Sequence, residues 1–336
     1  MKQALIIFSV CANLLIVPSL VYGQLRGDKL QRQDLFKAIR DCEHAKISRG
    51  GETWFDERRL TTQLQLIEEI LQDNTYVNAR RATHRRVWTP LHVAIGQDNP
   101  ALVRLLIDHG ADVNATGEFG RKPVLVYAAK TKRWQIVDML LSQQAIDASA
   151  ASASGYTTLH AAAAEGRVEL AERLLDQGVE IDAVERDRYT PLHWACWYNH
   201  LEMAKLLVSR GADVNFQAEV QKPLRGASKT HESPLHAAAE ARWPQSPATV
   251  AFLLNSGARV DAVDGQGKTP LHMAAKTFGN AEIVKLLVDH GADVNSIDGR
   301  PGFHQMTPLH YAASRGFEPV VRILLSHGAE VDKVDY

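Results

Sequence analysis

The chain has 336 residues, 38 basic against 39 acidic side chains and 45% hydrophobic residues, a near-neutral balance that argues against a general nucleic-acid or polyanion binder. It has three cysteines, and the two outside the first 23 residues, Cys42 and Cys196, are too few for a disulfide framework. A chain of this length would ordinarily divide into two globular domains, but this one repeats itself, and a stacked repeat array grows in one dimension without a second core.

Residues 1–23 read as a signal peptide. Lys2 supplies a short positive region, Ala4 to Val17 is almost wholly apolar, Pro18 interrupts the run, and Val21 and Gly23 suit a signal-peptidase site. The expected mature chain begins at Gln24 after cleavage near Gly23. The expected location is then exported, periplasmic or secreted, with no membrane association after cleavage. The alternative is an uncleaved anchor, for which the apolar run is short. Cys11 lacks the small preceding residue of a lipoprotein site.

Residues 24–86 read as a degenerate N-terminal capping repeat. Asp34 to Arg40 and Leu64 to Leu71 supply its two helices, Val77-Asn78-Ala79 its exit, and exposed Arg32, Lys37, Arg40 and Asp41 suit a cap that faces water. An insertion over 43–60 separates the helices. Its Ile47 to Glu57 portion, with Gly50-Gly51 and Trp54-Phe55, is expected to be a loop whose aromatics fold back onto the repeats. The basic run Arg80-Arg81-Ala82-Thr83-His84-Arg85-Arg86 is read as a solvated hairpin tip in preference to an anion site.

From Val87 onward one phrase recurs. Thr-Pro-Leu-His stands at 89–92, 190–193, 269–272 and 307–310, with near copies Thr157-Thr158-Leu159-His160 and Ser233-Pro234-Leu235-His236 and a degenerate copy at Lys122 to Val126. Self-similarity on this period marks a solenoid. In the cleanest unit, Asp187 to Asn215, Thr190 is an N-cap and Pro191 suits the first helical position, where a missing N–H costs nothing. Leu192, Ala195 and Cys196 then share one helical face. A second apolar set, Leu201 to Leu207, follows the polar break Asn199-His200 and ends at Gly211, a glycine suited to the left-handed helix stop. Glycines 110, 178, 257, 291 and 328 hold the same place in other units, and Gln144 replaces one of them, so that turn should be less regular. Helices this short are marginal alone and must stack.

With T-P-L-H-x-A-A opening helix one and L-L-x-x-G-A-D-V-N closing the unit, the chain resembles an ankyrin-repeat protein from about Val87 to the C-terminus. The implied fold class is all-α, an ankyrin solenoid of about seven clear helix-turn-helix and hairpin repeats in residues 87–336, plus the degenerate cap. The resemblance implies that a protein partner of unknown identity is met by hairpin tips and by exposed positions near the end of helix one, along a concave face. Carried onto this sequence, that selects Arg186, Arg188, Tyr189, Trp197 and Tyr198 as one contiguous patch, and Trp88, Phe119, Arg121, Phe303 and Met306 as further partner-binding positions, with Tyr156 and Lys268 at corresponding tips. Aromatics and arginines are the residue types that dominate interfaces. Trp194 replaces an aliphatic residue and is read as semi-buried core. The insertions at 216–231 and 298–306, and the lengthened turn Ala241 to Pro247, can reshape a binding edge at little cost in closure entropy.

The repeated histidines are expected to bond loop backbone between units, spaced too far apart to share a metal ion. No Cys-pair zinc pattern, His-Glu-x-x-His motif, glycine-rich phosphate loop or Gly-x-Ser-x-Gly elbow is present, so neither metal, cofactor nor catalysis is expected. Cys196 falls on a core alanine position, and a Cys42–Cys196 bridge would have to span several units. The reading is an exported scaffold that holds another protein. Two alternatives remain: self-assembly through an uncapped last repeat, which would make a homo-oligomer, and an exported effector with cryptic activity.

Overall fold

The computed structural model describes residues 32–42, 46–49, 52–55, 57–72, 76–83, 86–117, 122–217, 232–240, 247–277, 280–299 and 305–332. The expected signal peptide over 1–23, the tip residues Phe119, Arg121 and Phe303, and most of the insertions at 216–231 and 298–306 lie outside the described residues. Sixteen helices follow one another among those described. They are α1 (Arg32–Asp41), α2 (Glu57–Leu71), α3 (Pro90–Gly96), α4 (Pro100–Asp108), α5 (Val124–Lys130), α6 (Trp134–Leu141), α7 (Thr158–Ala164) and α8 (Val168–Asp176). Then come α9 (Pro191–Trp197), α10 (Leu201–Ser209), α11 (Pro234–Glu240), α12 (Pro247–Asn255), α13 (Pro270–Lys276), α14 (Ala281–Asp289), α15 (Pro308–Arg315) and α16 (Glu318–Ser326).

Contacts divide the chain into two compact units, residues 1–119 with 133–143 and residues 120–132 with 144–336. In the first, α1 packs on α2 and α3, α2 and α3 on α4, and α4 on α6. The stretch expected as a loop between α1 and α2 is instead an antiparallel hairpin, β1 (Lys46–Arg49) against β2 (Glu52–Phe55), with Ile47 opposite Trp54. The sequence signal was Gly50-Gly51 between two β-prone runs, a pair that permits a tight turn. The basic run does form the expected hairpin, β3 (Arg81–Thr83) with β4 (Arg86–Trp88).

In the second unit the first helices of successive pairs form one row, α5, α7, α9, α11, α13 and α15, each against the next, and α8, α10, α12, α14 and α16 form a second row behind. The row of first helices is built on small residues. Ala161, Ala162, Ala163, Ala195, Cys196, Ala237, Ala239 and Ala275 are all nearly or fully buried, which lets backbones approach closely. Leucines at 159, 192, 235 and 271 fill the space between, each stabilising by about 2 kcal/mol on burial.

The glycines expected to stop the second helices do so in the left-handed region, from Gly178 (φ 81°) to Gly211 (φ 98°). Gln144 does not adopt that conformation, and its turn departs from the others. Among the described residues, Cys42 and Cys196 are free and buried, and no bridge joins them. Burial pushes the Cys42 thiol up to about 12 and raises that of Cys196 further, leaving both inert. No helix among the described residues is long and apolar enough to cross a membrane.

Candidate protein-binding surface

The recurrent Thr and His do two jobs at once. At Thr157, Thr190 and Thr269 the backbone N–H donates to Nδ1 of the histidine three residues on, at 3.1 Å, while the threonine hydroxyl lies 2.8–2.9 Å from the same nitrogen. A ring whose Nδ1 accepts carries its proton on Nε2. That nitrogen donates to a carbonyl of the next hairpin: His160 to Tyr189 (3.1 Å), His193 to Glu232 (2.9 Å), His236 to Lys268 (2.9 Å) and His272 to Met306 (3.1 Å). The expectation of backbone bonding between units holds, and the ladder fixes each hairpin tip to the helix before it. Burial pulls His160 and His193 down to about 4, against a smaller upward pull from the carbonyl each one bonds. Both are neutral near pH 7.

The Tyr189 hairpin carries the aromatics. The Tyr189 ring packs on His193 (5.4 Å between centroids), meets Trp197 edge-on at 5.8 Å and Trp194 at 6.4 Å. Trp194 stacks on Tyr198 at 6.0 Å with an interplanar angle of 12°, and receives Tyr156 edge-on at 6.0 Å. Tyr198 continues to His200 at 6.4 Å, and the Lys130 ammonium sits 5.1 Å over the Tyr156 ring. Such edge-to-face and offset pairs are each worth about 1 kcal/mol beyond area burial, so the surface is preformed. Tyr198 is 46% exposed, the most open aromatic of the group.

Trp194, read from the sequence as semi-buried core, is half-buried but is the hub of this surface. The missed signal was its spacing: Trp194 on α9 and Tyr198 at its C-cap stand four apart and so share a face. Its Nε1 is buried without a hydrogen-bond acceptor among the described residues. The Tyr189 hydroxyl donates to the buried Glu232 carboxylate at 2.8 Å, and burial followed by that charge raises Tyr189 well above its ordinary range. Burial lifts Tyr156 to about 12. Arg186 and Arg188 project from the same tip, both exposed.

Three other predicted positions among the described residues make contacts of their own. Trp88 lies in the first unit, half-buried with its ring 5.1 Å from His92. Met306 is half-buried in its own hairpin, its N–H donating to Asp298 at 2.8 Å while its carbonyl receives His272. Lys268 is held over the Tyr311 ring at 5.7 Å and bonds Gln266. No group of three or more potential metal ligands occurs among the described residues.

Three copies of the ankyrin-repeat pattern match residues 60–152, 125–218 and 219–298, and a single ankyrin-repeat pattern matches 304–336. The chain belongs to the ankyrin-repeat family. The first match begins within α2, so part of the degenerate first pair is also recognisably ankyrin. The ankyrin repeat protein nuc-2 of Neurospora crassa is 30% identical over 235 residues, 70% of this chain and 20% of that one. Human inversin is 28% identical over 223 residues, 66% of this chain and 16% of inversin, and a putative E3 ubiquitin-protein ligase, XBAT35, of Arabidopsis thaliana is 44% identical over 66 residues, 20% of this chain and 14% of its own. The chain thus spans a fifth or less of the length of these relatives. Ankyrin arrays of this kind are protein-interaction scaffolds.

Proposed function

We propose that this ankyrin array is an exported scaffold whose protein partner docks on the surface formed by Tyr156, Tyr189, Trp194, Trp197 and Tyr198. One observation carries the reading: five aromatic side chains from two hairpins and one helix meet in a single interlocked group, and its outermost ring is exposed. A preformed aromatic surface loses little ordering entropy on binding. Export is supported by the sequence pattern of residues 1–23. The test compares native-source affinity capture by the wild-type chain and by Tyr198→Ala, a truncation of an exposed ring that leaves the core intact. A partner held by the wild type and lost by the variant supports the reading, and equal recovery overturns it. Sequencing the N-terminus of the exported protein tests export separately: Gln24 supports cleavage, Met1 in the cytosol sinks it.

A second reading is association between copies. Leu325 on α16 and Val331 in the turn beyond it are 42% and 70% exposed. Sedimentation that shows a monomer at every concentration would exclude it.

A further inference from the structure

Among the described residues, four other than glycine adopt the left-handed conformation: Asp98 (φ 56°), Lys132 (φ 61°), Arg188 (φ 67°) and Asn199 (φ 56°). The conformation costs an L-residue free energy that glycine escapes, so each occurrence asks for a compensating contact. Three have one. Asp98 pairs with Arg133 at 2.8 Å, Lys132 with Glu165 at 2.7 Å, and Asn199 accepts from the Thr249 hydroxyl at 2.6 Å. Arg188 alone of the four has no side-chain partner among the described residues. The strain at Arg188 is also avoidable. Its N–H closes a turn onto Glu185 at 2.8 Å, and in the equivalent turns Gly155 bonds Ser152 and Gly267 bonds Asp264, with φ of 76° and 79°. Glycine is what the turn requires, and arginine stands there instead.

We infer that Arg188, aided by Arg186, receives carboxylates from an acidic segment of the protein partner, while an apolar side chain of that segment lies on Trp194 and Tyr198. The inference rests on the proposed docking surface and adds the chemistry of the occupant. Charge complementarity favours it. Arg186 likewise has no side-chain partner among the described residues, and both arginines are exposed on the tip just before Tyr189. Two neighbouring buried carboxylates are engaged within the fold: Glu185 accepts from the Asp187 N–H at 3.0 Å and Glu232 from the Tyr189 hydroxyl. Asp187, between the two arginines, leaves the exposed side chains of the tip with a single net positive charge, with the buried Glu185 behind them. That suits a short acidic stretch better than a polyanion. A guanidinium fork pairs a carboxylate through two parallel hydrogen bonds, a geometry lysine cannot reproduce.

The experiment is fluorescence anisotropy on the full chain with dozen-residue labelled peptides of alternating Glu and Tyr or alternating Lys and Tyr, and with a uridylate oligomer. Proteins are the wild type, Arg188→Gly, Tyr198→Ala, and Arg104→Ser as a charge-matched control on an exposed helix face. The Glu-Tyr peptide is expected to bind the wild type, to weaken about tenfold in Arg188→Gly, the loss of one interface arginine, and to be unchanged in Arg104→Ser. Arg188→Gly relieves strain, so loss of binding cannot be ascribed to unfolding. Equal loss in Arg104→Ser, absence of Glu-Tyr binding, or tighter binding of the Lys-Tyr peptide or the uridylate overturns the inference. Weakening by Tyr198→Ala but not by Arg188→Gly would overturn it and leave the docking surface standing; weakening by neither removes both.

Discussion

Acid should loosen this array at the histidine ladder. His160 and His193 are 0% and 1% exposed and sit near 4, against 6.5 for the free side chain. A base whose folded value is depressed contributes stability that is fully present above the unfolded value and lost as the pH falls toward the folded one. The window here runs from 6.5 down to about 4. At about pH 5 the unfolded histidine is almost fully protonated while the folded one is mostly neutral, which works out to about 2 kcal/mol per histidine. The two together should remove about 4 kcal/mol, a large share of the usual domain stability. His236 and His272 are lowered by burial as well and add in the same direction. Structurally, protonation removes the Nδ1 acceptor that the Thr157 and Thr190 N–H groups use. The assay is urea unfolding followed by far-ultraviolet circular dichroism near pH 7.5 and pH 5, on the wild type and on His160→Gln. The variant is less stable at both, but the drop between them should shrink by about 2 kcal/mol. An unchanged drop would refute the placement of His160 as a buried neutral donor.

Three further outcomes follow from local geometry. A methyl on Gly155, whose φ is 76°, would lie 2.3 Å from the Val184 carbonyl oxygen, so Gly155→Ala should lose roughly 2–4 kcal/mol; a thermal midpoint equal to wild type would contradict the hairpin packing. Among the described residues the buried Thr158 hydroxyl has no partner, at a helix position where five other copies carry proline, and Thr157 before it is already extended (φ −107°, ψ 172°). Thr158→Pro should therefore stabilise by about 1 kcal/mol in chemical denaturation, and a loss would show the hydroxyl to be satisfied. Trp194→Phe removes an unpaired N–H and keeps a ring, so stability should change by less than about 1 kcal/mol; a larger loss would mean that Nε1 has an acceptor.

The stack was legible because each repeat signals with several residue types at fixed offsets. Thr at the cap, Pro at the first helical position, His at the ladder and Gly at the stop each state one local requirement, and the requirements agree. The insertion hairpin was not legible as such, since two aromatics beside a double glycine fit a loop as well as a strand pair. The aromatic surface was half legible. Tyr189, Trp197 and Tyr198 could be named from their places in one repeat, but Tyr156 reaches Trp194 only because one unit stacks on the next. Sequence spacing within a unit does not report that contact.

Arg188 shows how departure from a repeat can be weighed. Left-handed geometry costs an arginine roughly 1–2 kcal/mol against glycine, a measurable part of the 5–15 kcal/mol that separates most folded domains from unfolding. Where Gly155 stands, no side chain could be accepted, because the following backbone is in the way. At Arg188 the side chain is accepted and left exposed, so packing supplies nothing in return. The same reasoning separates it from Lys132, whose strain is matched by an ion pair with Glu165 inside the fold. An uncompensated cost at a hairpin tip, beside the largest aromatic group on the described surface, points outward to a contact that the free protein does not contain.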